Sequence, residues 1–373
     1  MRAANILHLG VKELRSLLRD PIMLVLIVYS FTLAIHAAAT AMPETLSRAA
    51  IAIVDEDRSP VSSRIAGAFY PPWFLPPVPI TQAEMDARMD AGRDTFALDI
   101  PPGFQRDLLA GHRPAIQLNV DATRMSQAFT GSGYIQAIVA GEVAAFLGGG
   151  RAAEAPAAEL VLRARFNPQL DTAWLGAVME VVNHVTLLSI LLSGAALIRE
   201  REHGTIEHLL AMPVAPFEIM TAKIWSTGLV VLAATALAMT VVVQGVLRVP
   251  IQGSLGLFLA GAALHVFATA SLGIVLGTVG RTMPQFALLV ILVLLPLEML
   301  SGGTSPRESM PYPVQVVMLA APTTHFVMLA QGVLFRGAGL AVVWPQLLAL
   351  GAIGAALFGY ALARFRSSIG AMA

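Results

Sequence analysis

The densest chemistry in the chain is the stretch Arg199-Glu200-Arg201-Glu202-His203-Gly204-Thr205-Ile206-Glu207-His208-Leu209-Leu210-Ala211-Met212-Pro213. His203, Glu207 and His208 are metal-ligand types, and their order resembles the inverted zinc-peptidase pattern H-x-x-E-H with one residue too many. On a helix, positions five apart diverge by about 140°, so the two histidines do not converge on one ion. No metal site is expected. Gly204 permits a break, Thr205 is placed to cap, and a short helix with Leu209 and Leu210 on its apolar side ends at Pro213. A short charged helix of this kind suits docking into a groove on a soluble partner.

Other chemistries are excluded by residue type. A nucleotide-binding P-loop needs Gly-Lys-[Ser/Thr] after a glycine-rich turn. The only lysines are Lys12, preceded by Val11, and Lys223, preceded by Ala222, so neither fits. Cysteine is absent, which removes disulfides, thiolate metal sites and cysteine nucleophiles. A net charge of zero offers no basic face to nucleic acid. Asp55-Glu56-Asp57 reads as a cation site or, more commonly, a solvated strand-to-helix turn. No acid/base pair or activated nucleophile stands out, so catalysis and bound cofactors are not expected of this chain.

The elements that position these residues follow from composition. Hydrophobic residues make up 56% and charged residues 13%, against roughly 25% charged in a soluble domain. Unbroken apolar runs favour membrane helices over a barrel. A span needs about 20 apolar residues, and the runs fall at about 21–42, 174–198, 224–247, 255–279, 286–300 and 340–363. The fold class expected is therefore an α-helical polytopic membrane protein of about six transmembrane helices. Residues 1–20 form an interfacial amphipathic helix, with Leu14, Leu17 and Leu18 opposite Lys12, Arg15 and Arg19. The alanines at 37–41 resemble a signal-peptide cleavage site, but the preceding apolar core is longer than a signal's, so the segment reads as a retained span. Prolines 306, 311, 313 and 322 interrupt residues 301–339, which read as a re-entrant hairpin.

Between the first two spans, residues 43–171 are polar and alternate strands with helices, as in a small α/β domain. Strands are expected over Ala49–Val54, Thr95–Ile100 and Ala115–Val120, and a capping box at Thr81 and Glu84 opens a helix. The positive-inside rule orients the chain. Arg2, Lys12, Arg15, Arg19, Arg199, Arg201, Lys223, Arg281, Arg364 and Arg366 fall on one side; the opposite short loops hold only Arg248, Arg307 and Arg336. Both termini and the loop 199–223 are then cytoplasmic, and the α/β domain is extracytoplasmic.

Ionisable residues inside spans are functional candidates by default. Glu180, Asn183 and His184 in the second span, His265 in the fourth and Glu298 in the fifth are candidates to line a transport path or a dimer contact. Hydrated interfacial groups are the alternative, favoured for Glu298 and His325. Gly273-x-x-x-Gly277 permits close helix approach.

The loop frame Glu200, Glu202, Gly204, Thr205, Glu207, Leu209 matches E-x-E-x-G-T-x-E-x-L. In this the chain resembles the type-2 permease family of ABC transporters, in its multidrug-export branch. The turn at Val54-Asp55 and Asp57, the step Ile100-Pro101 to Phe104, and Asn167-Pro168 before the second span agree with the family along nearly the whole length. His208 is a departure within a matching frame. The resemblance implies that residues 200–213 are a coupling helix, with Leu210 and Pro213 included, that receives the movement of a separate ABC ATPase. That partner would bind the ATP and magnesium. It further implies a dimer with a second copy or a paralogue in the bacterial inner membrane, an extracytoplasmic adaptor protein as a further partner, and export of drug-like, lipid or other amphipathic substrates. The rival reading is a membrane-anchored sensor or assembly scaffold that uses the outer domain to bind a ligand or partner.

Overall fold

A computed structural model describes residues 3–41, 46, 48–121, 125–148, 172–202, 204, 214–303, 307 and 310–370. The chain divides into two compact units, one from Met1–Ala41 with Ala164–Ala373 and the other from Met42–Arg163.

The first unit is helical. Helix α1 spans Ala3–Leu18, and Gly10 and Leu17 are its buried residues. Asp20 then caps α2 (Pro21–Thr40), accepting from the Met23 N–H at 3.1 Å while Pro21 occupies the first turn. The long helices continue as α7 (Thr172–Glu202), α8 (Pro216–Val246), α9 (Leu255–Val279) and α13 (Leu340–Gly370). Between them lie α10 (Met283–Met299), α11 (Tyr312–Ala320) and α12 (Pro322–Phe335). Labels α3 to α6 belong to the second unit.

Five of these helices, α2, α7, α8, α9 and α13, are long and apolar enough to cross a membrane. The pair α11 and α12 makes a sixth if counted as one bent span, with a 94° bend at Ala321. The run expected at 286–300 is helix α10, whose 17 residues fall short of that length. Its short reach follows from its boundaries, Pro284 in its first turn and the glycines Gly302 and Gly303 just beyond it. The chain is thus a mostly helical, polytopic membrane protein.

Helix α9 is the centre of this unit, packed against both α7 and α13. Close approach of α7 and α9 depends on Gly273: a Cβ there would lie 2.3 Å from the Ile190 carbonyl oxygen and 2.3 Å from Ser193 Oγ. A hydroxyl ladder runs along the same seam. Ser193 Oγ donates to the Ala270 carbonyl at 2.9 Å, and Ser189 and Thr269 pair one turn away.

In the second unit, β1 (Ile51–Asp55) and α3 (Pro60–Gly67) are followed by β2 (Val78–Pro79), α4 (Gln82–Asp90), β3 (Phe96–Ile100), α5 (Phe104–Leu109), β4 (Gln117–Val120) and α6 (Met125–Leu147). The sheet order is β2-β1-β3-β4, parallel except that β4 runs antiparallel to β3. Ile51, Ile53, Phe74, Phe96, Leu98 and Ile100 form its core with Ile65 and Phe104 from the helices. The acidic triplet is a turn here. Asp55 Oδ1 accepts from the Asp57 and Arg58 amides at 3.1 and 2.8 Å, and its Oδ2 accepts from the Ser62 hydroxyl at 2.8 Å. Those acceptor lone pairs are spent on the chain itself, and no metal-binding group of carboxylates or histidines occurs among the described residues.

Candidate functional site

The candidate coupling loop is rooted at both ends in ion pairs. Before it, α7 is a 31-residue helix, and a helix of that length is about 46 Å long. It exceeds a hydrocarbon core of about 30 Å, and Arg199 and Arg201 lie in its last turn. After the loop, Pro216 opens α8, and Glu218 three residues past Ala215 caps it by accepting the Ala215 N–H at 3.2 Å.

Helix α1 lies across this junction and binds both ends. The buried Lys223 of α8 sits 3.0 Å from Glu13 Oε1 on α1 and 2.8 Å from Glu200 Oε2 on α7. Lys12 of α1 reaches the other oxygen of Glu200 at 3.0 Å, and its side chain is half-exposed. Two ammonium and two carboxylate groups alternate, so a charge that would be costly alone in an apolar setting is neutralised on two sides. Arg199 extends the network to Asp20 at 2.7 Å. Asn5 donates to Glu218 at 3.2 Å, and Trp225 Nε1 donates to the Ile6 carbonyl at 3.1 Å. The fit is tight: a Cβ on Gly10 would stand 2.1 Å from the Trp225 ring. A small cavity of ≈ 20 Å³ beside Lys223 and Arg199 is about large enough for one water.

The loop between α9 and α10 is held at the same end. Arg201 donates to the Gly280 carbonyl at 3.0 Å, and Glu202 accepts from the Met283 N–H at 2.9 Å. Gly204 has φ +67, the left-handed region that suits glycine. Thr205, Glu207, Leu209, Leu210 and Pro213, like His203 and His208, lie outside the described residues, as does Asn167-Pro168. Of the sequence-derived loop residues, Glu200, Glu202 and Gly204 therefore have a described setting.

The candidate transport-path residues divide into two groups. Near the other end of α7, His184 Nε2 lies 3.1 Å from Glu180 Oε1, and Asn183 donates to Glu180 at 3.4 Å. Glu298 on α10 is within electrostatic reach of both Glu180 and His184. His265 is apart from these. It is fully buried between α7 and α12, stacked on Phe326 with ring centroids 4.3 Å apart. Its Nε2 lies 2.8 Å from the Thr186 hydroxyl, which is itself 2.8 Å from the Val182 carbonyl oxygen. His325 bonds the Leu319 carbonyl at 2.9 Å.

Sequence reasoning missed Lys12, Glu13 and Lys223 as site residues. The available signal was the scarcity of lysine in a chain that otherwise uses arginine, with both lysines flanking apolar segments.

Comparison with known proteins gives these features a setting. The profile of the family described as "ABC-2 family transporter protein" matches residues 21–363. The chain belongs to that family. It is 62% identical over 369 residues, 99% of each chain, to the "Inner membrane transport permease YhhJ" of Escherichia coli (strain K12). It is also 27% identical over 363 residues to the "Probable multidrug ABC transporter permease YbhR" of the same organism, covering 96% of this chain and 97% of the relative. A third relative, the "Probable multidrug ABC transporter permease YbhS", is 25% identical over 333 residues, 88% of each chain. Membership makes the chain a membrane permease subunit of an ABC transporter, a transport subunit and a multi-pass protein of the inner membrane. The family in general implies an ABC ATPase partner.

Proposed function

We propose that this permease exports amphipathic substrates, drug-like molecules or lipids, and is driven by a separate ABC ATPase that docks on residues 200–213. ATP and magnesium are bound by that partner. The carrying observation is the junction at the roots of the loop, where Lys223 joins Glu13 and Glu200. A push on the loop meets α1, α7 and α8 as one ion-paired body and is passed into the spans rather than absorbed by loose helix ends. Two such subunits, identical or paralogous, form the path, with Glu180, Asn183, His184 and Glu298 near its outer part and His265 as an interior support. The names of two relatives favour drug-like cargo.

The proposed orientation has both termini and the loop in the cytoplasm, the α/β unit outside and α11–α12 re-entrant from the outer face. An extracytoplasmic adaptor is a further partner. Helix ends support this sorting of charge. The Gly280 carbonyl, next to Arg281, is tied to Arg201, whereas the Gln252 amide, near Arg248, bonds the Leu334 carbonyl, near Arg336.

The test is co-purification. The tagged permease should retain an ATPase subunit and ATP hydrolysis in its membranes, and Glu207→Arg or Gly204→Pro should abolish both retention and export. Retention and export that survive both changes would sink the docking assignment, and absence of any ATPase from the wild-type preparation would favour a sensor or scaffold.

A further inference from the structure

We infer that the end of the helical unit opposite the Lys223 junction carries a binding crevice for the head of an anionic amphipath. The crevice has a volume of ≈ 480 Å³ and opens between the 301–303 turn, α12 and the start of α13. Its mouth carries Arg307 and Arg336, and no carboxylate is among its described lining residues. Arg307 is fixed by donating Nη2 to the Gln315 carbonyl at 3.2 Å, while its buried Nε has no partner among the described residues. The exposed Arg336 side chain makes no hydrogen bond or ion pair among the described residues. Gln346 of α13 also has a buried Oε1 without a partner among the described residues. Leu175, Val342 and Val343 add apolar lining.

Two parts of this arrangement are costly without a ligand. Buried polar atoms without partners, here Arg307 Nε and Gln346 Oε1, forfeit hydrogen bonds. Two guanidinium groups present forked donors that match a phosphate, sulfate or carboxylate head. The amide oxygen adds an acceptor for a hydroxyl on that head, and the apolar lining takes the adjoining chain. The occupant is therefore a singly or doubly charged anion with an alkyl tail, supplied either by the membrane as an acidic phospholipid or from solution. The site does not depend on the export reading, since binding is measured without an ATPase.

The experiment uses the full chain, purified in mild detergent and analysed by native mass spectrometry with phosphatidylglycerol or phosphatidylcholine, and by competition with dodecyl phosphate and inorganic phosphate. Wild type should retain phosphatidylglycerol in preference to phosphatidylcholine. Arg307→Gln and Arg336→Gln should each weaken it about tenfold, the scale of one charge-assisted hydrogen bond. Arg336→Lys should keep part of the affinity. Arg248→Gln, an exposed cation outside the crevice, should leave it unchanged. Gln346→Leu, which alters no charge, gives a second reading if an arginine variant fails to fold, and it should weaken the hydroxylated lipid more than dodecyl phosphate. Competition by dodecyl phosphate supports a site open to soluble amphipaths; retention of the lipid without such competition supports a membrane-supplied head. Equal retention of both lipids, equal competition by inorganic and dodecyl phosphate, or undiminished binding in the folded double arginine variant would overturn the inference.

Discussion

Replacing Lys223 with Met tests whether the junction is a neutralised buried network. The ammonium is almost fully buried, with Glu13 and Glu200 at 3.0 and 2.8 Å. Without it, both carboxylates must share Lys12, which lies 3.0 Å from Glu200, 3.9 Å from Glu13, and is half-exposed. Removing one partner of a buried ion pair costs about 3–5 kcal/mol. The residual Lys12 contact and a cavity that admits water place the expected loss at the lower end, about 3 kcal/mol. Lys12→Met removes only the half-exposed arm and should cost about 0–1 kcal/mol. Adding Glu13→Gln and Glu200→Gln to Lys223→Met should recover most of the loss, because the penalty lies in stranded charge rather than in lost attraction. Equilibrium unfolding of the purified chain in mixed detergent–SDS micelles, followed by tryptophan fluorescence, measures all three. If Lys223→Met were no less stable than Lys12→Met, or the triple variant no more stable than the single, the electrostatic account of the junction would be wrong.

Further outcomes follow from other contacts. Gly273→Ala forces a Cβ onto the Ile190 carbonyl oxygen at 2.3 Å, and the resulting backbone shift should cost about 1–3 kcal/mol. The matched change Gly351→Ala meets nothing within 4 Å and should be neutral or stabilising by about 0.5–1 kcal/mol; the two unfolding midpoints should move apart. Thr186→Val deletes the hydrogen bond to His265 and should cost about 0.6 kcal/mol, with about 1.7 as the ceiling for such a contact, read from the same curves. In the α/β unit, the Thr81 amide hydrogen bond, and then its hydroxyl, hold the Glu84 carboxyl below its ordinary value. A depressed folded pKa means that the cap is intact above the ordinary carboxylate range and is lost as pH falls through the lowered folded value. Hydrogen exchange at the Thr81 amide, corrected for its intrinsic pH dependence, should lose protection only on that acid limb, and Glu84→Gln should remove the pH dependence.

The spans were legible because a long apolar run has few other uses, and α9 at Leu255–Val279 coincides with its run. The α/β elements were legible where side-chain pattern and turn chemistry agree, as at Thr81 and Glu84, where the capping box forms. Strand β2 was not: Val78–Pro79 lies in a proline-rich segment and pairs with β1 only through tertiary contact. The same limit hid the junction. Lys223 and Glu13 stand 210 positions apart in the chain, and no periodicity connects them. Glu180 and His184 share a face at i,i+4, so their proximity was readable, whereas the reach of Glu298 to them depends on how α10 packs on α7.

The placement of Lys12 and Lys223 makes this chain easy to interrogate chemically. Both of its side-chain primary amines belong to the junction. Among the lysines, an acylating reagent applied to the folded protein therefore meets one accessible target, Lys12, and one shielded target, Lys223. The extent of modification at Lys223 becomes a direct gauge of how often α1 lifts away from the roots of the loop. A peptide map of the labelled chain, taken with and without nucleotide in the assembled transporter, would read that motion without introducing a probe.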